Sequence, residues 1–405
     1  MPSPRRLNPL VLLALIAPAA AAATHPSWRI ESVAGNGRQG FGGDGGPALK
    51  ARFRQPHSIQ FDRAGHLYVC DIGNHVIRRI DAATGIISTF AGTGKPGDTP
   101  DGALWFCEYT GQRIRRIARD GTISTLAGTG AKGYSGDGGP ALQATFNLPH
   151  EIRFDARGNL FVVDMANHAI RRIDLKTGVI TTLAGDGQPG YSGDGGPALK
   201  ARFRQPHSIQ FDRAGHLYVC DIGNHVIRRI DGNTGLISTF AGTGKPGDTP
   251  DGAPIAGTPL RGPRSLDFDR EGNLWLATRE GNQVFRLDPL RGTIHHVAGT
   301  GKKGFTGHGG PARDATLSGP KGIAVDADGN VWLADTESHS VRMIDRRTGH
   351  LELIAGTGEK GDGPDGPALA CQLARLHGIF ADTDGAIYVG DSETHRIRVI
   401  RQVPP

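Results

Sequence analysis

Short runs in which hydrophobic and polar residues alternate recur along the chain, and clusters of turn-forming residues separate them. The copy between Pro206 and Gly244 contains four such runs, at residues 208–212, 216–221, 226–231 and 236–241. Alternation with a period of two residues predicts β-strands, while Gly, Asn, Asp and Thr between the runs predict tight turns. Each copy is therefore predicted to be a four-stranded antiparallel meander.

The copies follow one another at a constant interval. Pro149, Pro206, Pro263 and Pro320 begin equivalent copies, each 57 residues after the last. A small sheet of this kind can bury its faces only against its neighbours, so a repeat of this length with Gly-rich joints predicts a radial β-propeller. The fold class is thus predicted to be all-β, with one repeat forming one blade.

Seven Ala-Gly steps mark the joints between copies, and they predict seven blades. The run at 28–34 precedes the first of these steps as a fourth strand would, whereas residues 376–400 supply three strands and no fourth. We expect the N-terminal strand to be the outer strand of the last blade, because that pairing closes the ring and removes an open sheet edge.

The second sector is shorter than the others. Pro56 and Pro149 are 93 residues apart, where two periods would give 114. Alignment of 97–106 with 247–276 places the gap at Ala103–Leu104, so the inner strand and the joint before it are predicted to be absent. We expect seven sectors with a truncated second blade of three strands, and the alternative is a six-bladed ring.

The N-terminus has the features of an export signal. Arg5 and Arg6 precede an apolar run at 10–17, and three alanines at 21–23 offer a cleavage point before Thr24. The run is too short for a convincing transmembrane helix, so a cleaved signal is the main interpretation and an uncleaved anchor is the alternative. We predict a signal peptide at 1–23 and a single propeller domain at 24–405, which is periplasmic or secreted, monomeric and without a transmembrane segment in the mature chain.

The charge of the chain is mild and dispersed. The formal net charge is +6, and Arg pairs such as Arg78-Arg79 and Arg171-Arg172 recur at one repeat position. This distribution predicts solvated sheet surface, and together with export it argues against nucleic acid as a partner. The four cysteines follow no pattern typical of a disulfide framework.

Two further polar positions recur from blade to blade. Asp44, Asp137 and Asp194 lie in Gly-Asp-Gly-Gly joints, where a turn or capping role is the main interpretation and calcium ligation is the alternative. A His before the third strand and an Asp at the end of the second, for example His168 and Asp164, are predicted to hydrogen-bond within the blade and hold its turn.

The repeat itself resembles a known one. The pattern P-x-x-I-x-x-D-x-x-G-x-[LV]-[YFW]-[VL]-x-D-x-x-x-H-x-I-R-x-I, at 56–80, at 149–173 and, more loosely, at 320–344, resembles the NHL repeat. The AGTG-x-x-G-x-x-GDGGPA joint is similar to the extracellular teneurin-type branch and its bacterial relatives. The resemblance covers residues 28–400 and implies a β-propeller. It leaves the activity open, because the family contains scaffolds and ligand-binding sensors, and neighbouring propeller families contain enzymes.

The position that begins each inner strand carries the most informative side chains: His57, His150, His207 and His377, with Arg264 and Lys321 in two further blades. An inner strand lines the channel, so these six side chains are expected to approach one another around its mouth. Imidazoles in a partly dry funnel can bind a transition metal. Arg and Lys oppose a bound cation and favour an anionic ligand. A metal site, a metal-free ligand funnel and an ordinary polar lining all stay open.

The Pro-His steps carry a second resemblance, to peptidyl-hydroxyglycine amidating lyases. Those propellers hold zinc through three Pro-His histidines, with an acid directly after one of them and a Tyr and an Arg nearby. The resemblance implies His57, His150, His207 and His377 as metal ligands, and Glu151, Tyr109 and Arg279 as catalytic residues. Separately, residues 100–108 are similar to the repeat of streptogramin B lyases, which are also seven-bladed.

These observations predict a binding module that acts through the channel-mouth face. Its partner is expected to be a protein, a peptide or a small anionic ligand, with Arg264 and Lys321 as anion-binding residues. The alternative is a metal-dependent lyase or hydrolase that uses the His-lined channel and one divalent metal such as zinc. In that alternative the metal polarises a substrate oxygen, and Glu151 or Tyr109 abstracts a proton.

Overall fold

The computed structural model describes residues 27–61, 66–71, 74, 76–91, 102–118, 123–381 and 385–403. The predicted signal peptide lies outside the described residues. Within them, no helix is long and apolar enough to cross a membrane.

Strands, numbered in chain order, account for most of the regular structure. The first third of the chain contains β1 (Ser27–Ala34), β2 (Gly46–Pro47), β3 (Pro56–Phe61), β4 (Leu67–Asp71), β5 (Val76–Ile80), β6 (Ile86–Ala91), β7 (Gly102–Glu108), β8 (Arg113–Ala118) and β9 (Ile123–Ala127). The middle contains β10 (Pro149–Phe154), β11 (Leu160–Asp164), β12 (Ala169–Ile173), β13 (Ile180–Ala184), β14 (Pro206–Phe211), β15 (Leu217–Asp221), β16 (Val226–Ile230), β17 (Ile237–Ala241), β18 (Ala253–Pro254), β19 (Pro263–Phe268), β20 (Leu274–Thr278), β21 (Gln283–Asp288) and β22 (Thr293–Ala298). The last part contains β23 (Gly310–Pro311), β24 (Pro320–Val325), β25 (Val331–Asp335), β26 (Ser340–Ile344), β27 (His350–Ala355), β28 (Gly366–Pro367), β29 (Leu376–Ala381), β30 (Ile387–Asp391) and β31 (Arg396–Val403).

Seven antiparallel sheets form from these strands, and we call them blades 1 to 7 in chain order. Blade 4 shows the basic unit, in which β14, β15, β16 and β17 pair in sequence order from the channel outward. Inner strands contact one another in turn: β10 contacts β14, then β19, β24, β29 and β3 follow around the ring. The predicted seven-bladed, all-β propeller is confirmed.

The ring closes through its two ends. Strand β1 pairs with β31, with Ile30 opposite Ile400 and Trp28 opposite Gln402. The Trp28 ring also meets the Trp332 ring of blade 6 edge to face, with centroids 5.7 Å apart. The predicted outer strand from the N-terminus is confirmed, and it turns three C-terminal strands into a complete blade.

Blade 2 is the exception to the four-strand rule. It contains β7, β8 and β9 alone, paired in that order within the described residues. By alignment β7 is a second strand, yet it packs against β10, the inner strand of blade 3. The predicted loss of the inner strand is confirmed, and the second strand of this blade contacts a neighbouring inner strand instead.

The joints form short, regular structures. Single 3-10 turns follow a proline in five of them, at Ala48–Lys50, Ala141–Gln143, Ala198–Lys200, Ala312–Asp314 and Ala368–Ala370. In four blades the joint also adds a two-residue strand outside the outer strand, and in three of them this strand directly precedes the 3-10 turn. The sequence did not predict this addition. Gly193 has a φ of +98°, and a Cβ there would lie 2.6 Å from the Cα of Ala201, so the joint requires glycine at that position.

The core consists of layers between neighbouring blades. In one layer Val163 and Ile170 of blade 3 pack with Ile209 and Val219 of blade 4, and Phe203 of the joint lies among them, fully buried. Comparable clusters lie between blades 4 and 5, 5 and 6, and 6 and 7, so these blades depend on their neighbours for the burial of their faces.

The first arginine of each Arg pair lies inside these layers, and the prediction of a solvated position is wrong. Arg171 is fully buried between the rings of Tyr134 and Phe146, with its Cζ 5.2 and 5.5 Å from their centroids. Its Nη2 donates to Asp137 at 2.7 Å and its Nη1 to Asp164 at 3.4 Å. Because strand residues alternate between faces, the second arginine of a pair, such as Arg79 or Arg229, is the one that reaches solvent.

The joint aspartates are therefore the ion-pair partners of these buried arginines. Asp44, Asp137 and Asp194 each form an ion pair with the buried arginine of the third strand, which explains the recurring Gly-Asp-Gly-Gly sequence without calcium. A buried guanidinium requires a paired carboxylate, because removing an unpaired charge from water is costly.

The recurring histidines connect blades, and the predicted His–Asp pair within one blade is wrong. His168 accepts a hydrogen bond at Nδ1 from the backbone N–H of Gln205, in the next blade, at 3.2 Å. Asp164 instead accepts from the backbone N–H of Asn147 at 2.8 Å. The equivalent interblade bonds link His225 to Gly262, His339 to Arg375 and His395 to Gln55. We call these His-to-backbone bonds the interblade latches.

Candidate functional site

The inner strands β10 and β14 each begin with a β-bulge, which changes the direction of their first side chains. In blade 3 the pairing with β11 shifts register between Pro149 and Ile152, and in blade 4 the pairing with β15 shifts between Pro206 and Ile209. A bulge of this kind re-aims the residues that it contains. The residues concerned are the His150–Glu151 step and its counterpart after Pro206.

Three rings from three blades come together at this level. The His150 and His207 ring centroids are 3.8 Å apart, and His150 Nδ1 lies 3.1 Å from the backbone oxygen of His207. Tyr109, in the turn after β7, meets the His150 ring edge to face with centroids 6.1 Å apart. Because β7 packs against β10 in the shortened blade 2, its terminal turn lies beside the first residues of blade 3.

Arg264 of blade 5 joins this group electrostatically. Burial lowers the pKa of Arg264 to about 10, and the negative charges of Glu151 and Glu280 oppose that shift while Arg279 adds to it. Burial also raises the pKa of Tyr109, and the positive charge of Arg264 partly offsets that rise. Tyr109 of blade 2 and Glu151 of blade 3 thus lie within electrostatic range of Arg264 of blade 5.

Glu151 connects two inner strands. Its Oε1 accepts from the backbone N–H of Ile209 at 3.3 Å and from the Ser208 hydroxyl at 3.4 Å, and it pairs with Arg153 at 3.0 Å. Its side chain is 19% exposed, so it stays in contact with the channel. We call Tyr109, His150, Glu151, His207 and Arg264 the ring cluster.

The opposite side of the mouth has a different construction. Lys321 Nζ lies 3.1 Å from Glu337, and Glu337 lies 3.3 Å from Arg375. Arg375 also lies 3.4 Å from Glu393, and Glu393 forms a further ion pair with Lys360. We call these five residues the ion-pair chain. Burial lowers the pKa of Lys321 and the charge of Glu337 counteracts it. Burial would raise the pKa of Glu337, but Lys321 and Arg375 outweigh it and the pKa is lowered.

The sequence-predicted site residues thus divide into groups. Tyr109, His150, Glu151, His207 and Arg264 are brought together, while Lys321 belongs to the ion-pair chain. His377 contacts the oxygen of Arg375 at 3.0 Å and the Ser392 hydroxyl at 3.2 Å, and Arg279 pairs with Glu280 at 3.6 Å. The side chain of His57 lies outside the described residues.

The predicted metal site stays a prediction. In the part of the chain that the structure describes, no group of three or more His, Cys, Asp or Glu residues is placed to hold a metal ion. The ring cluster contributes two imidazoles, and catalytic zinc uses three protein ligands.

The acidic members of the ion-pair chain were missed from the sequence. Glu337 and Glu393, together with Glu280, occupy the same position two residues after the second strand in blades 5, 6 and 7. Acidic residues at one repeat position in three consecutive blades are a signal that could have located this side of the mouth.

Comparison with known proteins agrees with this architecture. The family model for the teneurin NHL domain matches residues 268–361, and the model for the NHL repeat matches 373–400. Protein SUPPRESSOR OF QUENCHING 1 from Arabidopsis thaliana is 27% identical over 267 residues, which is 64% of this chain and 25% of that protein. NHL repeat-containing protein 2 from Bos taurus is 27% identical over 283 residues, 62% of this chain and 38% of that protein. The chain thus spans well under half the length of these relatives.

A solved structure extends the likeness to almost the whole chain. Virginiamycin B lyase from Staphylococcus aureus superposes with a TM-score of 0.60 at 18% identity, covering 93% of this chain and 100% of that one. At this identity the likeness concerns the fold. The resemblance to NHL repeats, predicted from the sequence, is confirmed by the family matches.

Proposed function

We propose that this NHL-repeat β-propeller is a ligand- or protein-binding module, and that its recognition site is the ring cluster at the channel mouth. NHL propellers commonly bind proteins, which supports the general class. The observation that carries the proposal is the convergence of Tyr109, His150 and His207 from three different blades. Rings with polar edges at a concave mouth supply both contact area and hydrogen bonds to a ligand.

The experiment compares ligand binding in matched variants. A panel of metals, sugar acids and short peptides is screened by thermal shift against the wild-type protein and a His150→Ala His207→Ala variant. His377→Ala is the control, because it removes an imidazole at the same repeat position on the other side of the mouth. A ligand that stabilises wild type and the control but not the double variant supports the proposal. Ligands that stabilise all three proteins equally would contradict it.

A metal-dependent lyase or hydrolase is the second candidate. The pair of imidazoles at 3.8 Å, with Tyr109 and Glu151 beside it, favours this candidate. It requires a third ligand, for which His57 is the sequence-based choice. Elemental analysis of purified protein tests it: about one zinc or similar ion per chain, lost in the double variant, is expected for the enzyme. Metal-free protein under several conditions would remove this candidate.

We also propose that the chain is exported after removal of residues 1–23 and acts as a monomer. The Arg5-Arg6 pair followed by the apolar run supports export. Fractionation of expressing cells and N-terminal sequencing test it: mature protein that begins near Thr24 outside the cytoplasm is expected. Intact precursor in the cytoplasm would contradict it.

A further inference from the structure

Arg264 differs from the other cations around the mouth in having no carboxylate partner. Within the described residues its guanidinium makes no hydrogen bond and no ion pair, although it is partly buried. Lys321 and Arg375, by comparison, are paired with Glu337 and Glu393. A half-buried guanidinium without a carboxylate partner has lost part of its hydration and has no ion pair to replace it. An ion pair with an anion that enters the mouth is therefore expected to stabilise Arg264.

The charges next to Arg264 cancel in pairs. Glu151 is neutralised by Arg153 at 3.0 Å, and Arg279 is matched by Glu280 at 3.6 Å. One positive charge, that of Arg264, is left over. This balance suits an anion with a single charge, because a second negative charge would face Glu151 and Glu280 without a further cation to compensate it.

The neighbouring rings define what the anion is attached to. Tyr109 is 37% exposed and lies against His150, whose ring is tilted by 42° to that of His207 with centroids 3.8 Å apart. These rings offer flat contact surface, and the Tyr109 hydroxyl can donate a hydrogen bond. A planar carboxylate fits a guanidinium in bidentate geometry, and an apolar or aromatic body next to it would pack on the rings.

We propose that the ring cluster binds a monocarboxylate, with the carboxylate on Arg264 and its apolar body against Tyr109, His150 and His207. This inference rests on the proposed binding function of the same site and adds the chemical class of the ligand. The carboxylate belongs either to a small organic acid or to the C-terminus of a peptide, and the two sources share the same recognition chemistry.

The test compares acids with their neutral amides. Phenylacetate and phenylacetamide represent small ligands, and an N-acetylated tripeptide ending in Phe, with a free or an amidated C-terminus, represents peptides. Binding to the full chain is measured by ligand-observed NMR at constant ionic strength. We expect at least one acid to bind, and its amide to bind about 10- to 100-fold more weakly, since charge-assisted hydrogen bonds are the strong ones. The source of the carboxylate is read from which acid binds.

Variants assign the effect to Arg264. Arg264→Gln is expected to weaken acid binding by about 10- to 100-fold and to leave amide binding unchanged, while Arg264→Lys restores part of the loss. Lys321→Gln is the matched control, because it removes a paired cation at the same repeat position, and it is expected to bind like wild type. Thermal melts confirm that each variant is folded.

Three results would overturn the inference: no binding by either acid, equal binding of acids and amides, or acid binding that Arg264→Gln does not change. None of these three results by itself rejects the proposed binding function. A neutral ligand that requires His150 and His207 but not Arg264 would retain the binding function and reject the carboxylate. Binding that requires none of these residues would reject both.

Discussion

The two sides of the channel mouth use equivalent repeat positions in opposite ways. On one side, Lys321 begins the inner strand of blade 6, and its charge is satisfied by Glu337 in the turn of the same blade. On the other, Arg264 begins the inner strand of blade 5, and its blade's Glu280 pairs with Arg279 instead. The ion-pair chain is thus internally complete, whereas the ring cluster retains an unpaired cation. Pairing inside the protein stabilises one side, and its absence makes the other side available to a ligand.

The largest effect is expected from breaking the ion-pair chain. Glu337→Gln leaves Lys321 buried without its carboxylate and removes one partner of Arg375. Breaking a buried pair by removing one member costs about 3–5 kcal/mol, but Glu337 is 28% exposed, so we expect a loss of about 1–3 kcal/mol in the free energy of unfolding. Chemical denaturation measures it. The double variant Glu337→Gln Lys321→Met should recover part of the loss. If stability does not recover, the Lys321–Glu337 pair is not the origin of the loss.

The interblade latches allow a second test on both sides of the mouth. His339 supports the ion-pair side by accepting from the backbone N–H of Arg375, and His168 supports the ring-cluster side through Gln205. In each variant, His339→Ala or His168→Ala, we expect a loss of about 1 kcal/mol near neutral pH, the contribution of one hydrogen bond. His339→Asn and His168→Asn are the matched controls and should lose less, because Asn282 of blade 5 accepts the equivalent bond from Gly319.

The pH dependence of these variants follows from the His pKa values. Burial lowers the pKa of His168 and of His339 below the ordinary 6.5. The unfolded chain therefore binds protons first, and the contribution of each latch is present above pH 6.5 and is lost as the pH falls. The deficit of each Ala variant should shrink between pH 7.5 and 5. The readout is the difference from wild type, because buried carboxyls titrate in the same range: burial raises the pKa of Asp71 and of Asp221 to about 7. A deficit that grows on acidification would contradict this account.

A smaller effect is expected from the unpaired cation. Arg264→Gln removes a charge that has no partner in the described part of the chain, so the free energy of unfolding should change by less than about 1 kcal/mol, in either direction. The free energies of unfolding of Arg264→Gln and Glu337→Gln together test whether the two sides of the mouth differ in the pairing of their cations. A loss of stability as large as that of Glu337→Gln would mean that Arg264 is paired in solution and that the two sides are alike.

Much of this architecture follows from the sequence, and the exceptions share a physical cause. The closing strand β1 and the three strands of blade 2 follow from counting strands and joints, because a ring has to be completed. The burial of Arg171 does not follow, since a period of two residues does not say which face of a strand is covered, and its partner Asp137 comes from a distant joint. The ion-pair chain was missed for the same reason: Glu337 contacts Arg375 of the next blade, a relation that only the ring creates.

The smallest effect is expected at the exposed edge between the two sides. Arg279 and Glu280 are about equally exposed, at 45% and 46%, and they are 3.6 Å apart. An exposed pair of this kind contributes about 0–1 kcal/mol, so Arg279→Gln should change the free energy of unfolding by no more than about 0.5 kcal/mol. The substitution also removes the positive charge beside Glu280, so the negative charge of Glu280 acts more strongly on Arg264. If Arg264 is the anion site, Arg279→Gln weakens carboxylate binding slightly, and more so at low salt than at high salt. Stronger binding in this variant would show that Arg264 does not receive the anion.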